Sequence, residues 1–115
     1  MFRVSTREKA EKEIERAGAL LGHTLQLGKC ERYWKIPELW ACEVTSEFEA
    51  ADEADRVFRC LLLANRLAYH WSVGGPHLRL DGTLERLDGV FSHSHAKAKL
   101  QSLEWAEFVV VTVAA

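Results

Sequence analysis

The sequence predicts an α+β fold: a single antiparallel or mixed sheet of four to five strands, with two helices packed on one face. Three observations lead there. Two segments repeat apolar residues at helical spacing, several others alternate them, and the order runs α-β-β-α-β-(β)-β. The chain of 115 residues has the length of one ordinary domain, and no linker or low-complexity run divides it, so residues 1–115 are read as a single unit.

The first helix is predicted over about residues 6–21. Ser5 and Glu8 stand at capping-box spacing, in which the two side chains satisfy free N–H groups at a helix start. Ala10, Ile14, Ala17 and Leu21 follow on one face, and Gly22 is a suitable C-terminal cap. The charged residues between them, Glu13 included, are assigned to the solvated face.

The period then changes to two. Trp40, Cys42, Val44 and Phe48 alternate with Ala41, Glu43, Thr45, Glu47 and Glu49, which describes a strand with one dry and one wet face. Upstream, Leu25 and Leu27 share one parity, and Cys30, Trp34 and Ile36 share the other. A β-bulge at Gly28 accounts for the switch. Ile36-Pro37-Glu38-Leu39 turns the chain, so about residues 24–35 and 39–49 form an antiparallel hairpin.

A second helix is predicted over about residues 52–68, with Asp52 as N-cap and Ala54, Val57, Phe58, Leu61, Leu62 and Ala68 as its inner face. Tyr69, Trp71 and Val73 then alternate with His70 and Ser72 as a third strand, which Gly74-Gly75-Pro76 ends. From His77 to Leu103 the pattern is faint. Leu78 and Leu80 mark a short strand, the two Leu-Asp-Gly triplets at 80–82 and 87–89 read as turns, and His93 to Gln101 reads as a loop. "WAEFVVVTV", Trp105 to Val113, is apolar on both faces and reads as a central strand.

Composition narrows the function. A formal net charge of −2 gives no global basis for nucleic-acid or membrane binding, and the run "FVVVTVAA" is too short to span a bilayer. The start "MFRVSTREKAEKE" is charged at once, without an apolar signal core. Cys30, Cys42 and Cys60 form no CxxC pair and read as reduced, small hydrophobes. A cytoplasmic protein is expected.

No cofactor or metal is predicted. His93-Ser94-His95 would present two imidazoles on one face of a strand, but the segment reads as a loop with no further ligand beside it. Gly74-Gly75-Pro76 has neither P-loop nor dinucleotide-loop spacing. His70 and His77 are candidate acid–base groups, yet residues 56–80 contain no Asp or Glu to orient them. Trp34, Trp40, Trp71 and Trp105 are expected to fill the core, or else to line a pocket or anchor an interface.

Local charge says more than net charge. Glu43, Glu47, Glu49, Asp52, Glu53 and Asp55 form an acidic stretch free of bases, and Arg56, Arg59, Arg66 and Arg79 follow in a stretch free of acids. The acidic stretch predicts a docking surface for a basic protein, with Tyr33 as an aromatic anchor.

The runs "YWKIPELWACEVTSEFEAADEADRVFRCLLLANRLAYHWSVGGP" and "LQSLEWAEFVVV" resemble the small immunity proteins of bacterial toxin–immunity pairs, including those of contact-dependent inhibition. The likeness lies in the succession of hairpin, acidic turn, apolar helix ending "LANRLA", aromatic strand and late "LEWAEF" strand. It implies a non-catalytic inhibitor that binds a cognate toxin, a nuclease with a basic cleft being suited to the acidic surface. It assigns no role to any single residue. The alternative is a small enzyme or ligand-binding domain with His70 or His77 as acid–base and Trp71 or Trp105 lining its pocket. A nucleic-acid binder using the four arginines is disfavoured by the net charge.

Overall fold

A computed structural model describes residues 1–92 and 100–111. Its elements run β1 (Phe2–Arg3), α1 (Arg7–Leu21), β2 (Gln26–Arg32), β3 (Leu39–Thr45), α2 (Glu53–Leu67), β4 (Ser72–Leu78), β5 (Leu84–Ser92) and β6 (Trp105–Val110). The class is α+β, but the expected single sheet is replaced by two antiparallel sheets of three strands each, ordered β1-β3-β2 and β4-β5-β6. They meet at β1. Phe2 forms an isolated bridge with Leu103, the Arg3 amide donates to the Ser102 carbonyl, and the Glu104 amide donates to the Met1 carbonyl. β1 is only two residues long, so no extended ladder can fuse the sheets across this junction.

Helix α1 begins one residue later than the capping-box reading. Thr6, not Ser5, accepts the Lys9 amide, and Gly22 closes the helix at φ 73° as expected. Glu13 departs from its assignment to the wet face. It is buried, and its carboxylate accepts from the Ser102 hydroxyl and the Arg16 guanidinium, both at 2.7 Å. The partner that draws it inward lies 89 residues away and is invisible to helical periodicity.

The hairpin and its bulge form, with the register shift between Leu27 and Cys30, so that Gly28 and Lys29 together oppose Glu43. The strands stop at Arg32 and Thr45, short of the expected 35 and 49, and Val44, expected on the dry face, is exposed. Cys42 and Leu25 pack at the edge of a core made by Phe2, Ile14, Ala17, Ala68, Phe91 and Leu103.

Helix α2 starts at its predicted cap, with Asp52 accepting the Asp55 amide at 2.8 Å. Its inner face is rotated from the expected one. Cys60 is buried and joins Leu84 and Leu87 in a second core, with Val57, Phe48, Phe108 and Val110 packed around it. Ala54, Phe58, Leu61 and Leu62, expected inside, are exposed; Phe58 is 60% accessible.

The second sheet corrects four expectations. The strand after α2 begins at Ser72 rather than Tyr69, because the Trp71 indole N–H turns back and donates to the Ala64 and Ala68 carbonyls at 2.9 and 3.0 Å. That leaves His70 in the left-handed region at φ 61°. Gly74-Gly75-Pro76 does not end the strand. It lies within β4 as an irregularity between Gly74 and His77, tolerable because β4 is an edge strand and Gly75 takes φ 92°. The centre of the sheet is β5, in the stretch where no strand was predicted beyond Leu80, and β6 is an edge strand, not a central one. Ala106, Phe108 and Val110 of β6 face inward, while Trp105 and Val109 are exposed. His93-Ser94-His95 and the expected end of the last strand beyond Val111 lie outside the described residues.

Candidate functional site

The acidic stretch divides into two groups. Asp52, Glu53 and Asp55 are engaged in building α2. Asp52 caps its first turn. Asp55 accepts the Ala51 amide and the Arg59 guanidinium, each at 2.8 Å, and these two contacts, the amide first, hold its carboxyl below the usual range. Glu53 is paired with Arg56 and also accepts the Leu84 amide at 2.7 Å, which ties the helix start to β5. Glu43, Glu47 and Glu49 are exposed, and their carboxylates make no hydrogen bond or ion pair with any described residue. Phe48 explains the display of the last two: its ring packs against the second core, so its neighbours on either side point to solvent.

The basic stretch is consumed locally. Arg56 and Arg59 pair within α2, Arg66 donates to the Leu21 carbonyl, and Arg79 donates to Thr83 and the Leu84 carbonyl. The first two contacts stay within α2, the others join neighbouring segments, and together they leave no free row of guanidinium groups among these four arginines.

Tyr33 is separated from the acids. Its amide donates to the Leu39 carbonyl at the hairpin turn, whereas Glu47 and Glu49 follow Thr45 at the other end of β3. The strand length between them is roughly 20 Å at about 3.3 Å per residue. Beside Tyr33, Trp34 stands 79% exposed with Lys35 over its ring.

The alternative residues are not assembled into an acid–base site. Trp71 is a packing residue, tilted against Phe91 and Phe108 with centroids 5.8 and 5.2 Å away. His70 and His77 are exposed, and neither bonds a carboxylate among the described residues. A groove of about 460 Å³ open to solvent, lined by Ile14, Glu15, Gly18, His23 and Leu25, runs along the end of α1, and neither His70 nor His77 lines it.

Sequence reasoning missed Phe58, Leu61 and Leu62 as surface residues. They lie at i, i+3 and i+4, one stripe on the solvent side of α2, with Asp55 one turn before Phe58. A signal was present. Seven of the eight residues Val57 to Ala64 are apolar, which is more girth than one core-facing stripe occupies. The site is therefore an apolar helix face on α2, with exposed glutamates in the segment of chain that leads into the helix.

Comparison of the chain with protein-family models, with curated proteins and with solved structures gives no match.

Proposed function

We propose that this chain is a non-catalytic, immunity-type inhibitor that binds a basic toxin domain in the cytoplasm. The docking surface consists of Phe58, Leu61 and Leu62 on α2, with Glu47 and Glu49 beside the helix start. The observation that carries the reading is the exposed apolar stripe on a well-capped helix. Contiguous apolar side chains rimmed by polar groups mark interaction surfaces, and interface energy concentrates in a few large apolar residues. Unpaired glutamates at the rim would speed encounter with a basic cleft and select against acidic partners. A nuclease has such a cleft. Tyr33, at the far end of the hairpin, has no part in this surface.

The test is to identify a toxic domain encoded by a neighbouring gene and to co-express the two. The wild-type chain is expected to protect the cells and to co-purify with that domain. Phe58→Asp and the pair Glu47→Lys, Glu49→Lys are expected to lose both properties while keeping the wild-type circular dichroism and melting temperature. Protection or binding that survives these folded variants would count against this surface, and absence of any complex with the wild type would count against the function.

A further inference from the structure

Cys30 and Cys42 occupy one rung of the β2–β3 ladder, immediately beyond the bulge, with their sulfurs 2.8 Å apart. Both are free thiols, and Cys60 sits in the other core, among Leu84 and Leu87. We propose that the Cys30–Cys42 pair is an oxidation site, a cross-strand dithiol that takes a small-molecule disulfide of the glutathione class as oxidant and closes a disulfide across the hairpin.

Three features support it. The paired strands already hold the two side chains face to face, so closing the bond needs little backbone movement; a bonded pair needs Cβ atoms about 3.5–4.5 Å apart, close to what facing residues in a sheet provide. Exposure orders the steps. Cys42 is half-buried and Cys30 is buried, so an incoming disulfide meets Cys42 first. The third thiol belongs to a separate cluster, so the pair has no competing partner beside it.

The chemistry balances as two exchanges. The Cys42 thiolate attacks one sulfur of the small disulfide, forms a mixed disulfide and expels a small thiolate. The Cys30 thiolate then attacks the Cys42 sulfur and expels the second small thiolate. Two protein thiols are oxidised by two electrons, their two protons pass to the released thiolates, and one disulfide becomes two thiols. Burial first, then the adjoining Cys30 thiol, pushes Cys42 up to about 12, with the N-terminal ammonium and then Arg7 acting in the other direction. The Cys42 thiol is accordingly protonated at rest, and its exchange at neutral pH is slow.

The experiment steps the full-length chain through a glutathione buffer from reduced to oxidised, traps free thiols by alkylation, and maps the products by mass. Loss of two hydrogen atoms, confined to a linkage between Cys30 and Cys42, is expected in the wild type and in Cys60→Ser. The oxidised form should melt higher by on the order of 10 °C, as expected for closing a short loop in a domain of this size. Cys30→Ser should instead stop at a glutathione adduct on Cys42. A persistent adduct in the wild type, a linkage involving Cys60, or three alkylatable thiols in fully oxidised buffer would each overturn the proposal. None of these outcomes depends on whether a toxin is bound.

Discussion

Glu13 shows how one side chain can belong to two distant parts of a chain. On α1 it faces the core side, where its carboxylate accepts from Ser102 and Arg16. Removing that acceptor leaves the Ser102 hydroxyl in a partly buried setting without its partner. Glu13→Ala is therefore expected to cost about 1–3 kcal/mol and Ser102→Ala about 1 kcal/mol. Their double variant should cost less than the sum, as urea titration of all four proteins would reveal. A double variant that loses the full sum of the two single losses would contradict this coupling. The same residue marks a limit of sequence reading. A charge flanked by charges on a helix is sensibly placed in water, and only the segment around Ser102 changes the answer. Trp71 is similar: alternation made it a strand residue, whereas its indole N–H caps the end of α2. By contrast Asp52 and Gly22 were legible, because the helix-end chemistry they supply depends on local backbone alone.

Among the elements, α2 was legible in place and length but not in rotation. Its apolar content was wide enough to fit two orientations, and contact with β5 and β6 selects the one that buries Cys60. The acids before it separate by the same logic. Glu53 accepts the Leu84 amide, so Glu53→Ala is expected to destabilise the fold by about 1–3 kcal/mol. Glu47→Lys and Glu49→Lys, which break no contact, should stay within about 0.5 kcal/mol of the wild type. Chemical denaturation distinguishes the two groups, and comparable losses in both would show that the linker acids are structural after all. β5 escaped prediction for a different reason. Its Leu-Asp-Gly triplet at 87–89 looks like a turn, yet Gly89 is there because the Phe108 ring lies where a side chain would project. A glycine needed for close approach is indistinguishable in sequence from one needed for a turn.

For the whole molecule, the two cores carry a shared dependence on pH. Burial pushes Cys42 up to about 12 and Cys60 up to about 11, against an ordinary value of 9.0. Above that ordinary value the unfolded chain releases these protons while the folded chain still holds them. The stability is thus complete below about pH 9 and declines as pH rises toward the folded values. Urea midpoints of the reduced protein should fall between pH 8 and 10, and Cys60→Ala should flatten the decline; a midpoint rising over that interval would refute the assignment. The α+β class was readable because periodicity reports local structure. The division into two sheets was not, since it turns on a two-residue strand with no period of its own. That short strand also has a consequence for the order of assembly. β2–β3 and β4–β5 close as hairpins near in sequence, but Arg3 and Glu104, which pair across the junction, are 101 residues apart. Contacts so distant form late, after the costly loop closure, and are the first to reopen. The polar edge of the junction should therefore open locally while the core shared by Phe2, Ile14, Ala17, Phe91 and Leu103 stays closed, with the Arg3 amide exchanging its hydrogen sooner than the amides within β5; equal protection would mean that the junction opens only with the whole molecule.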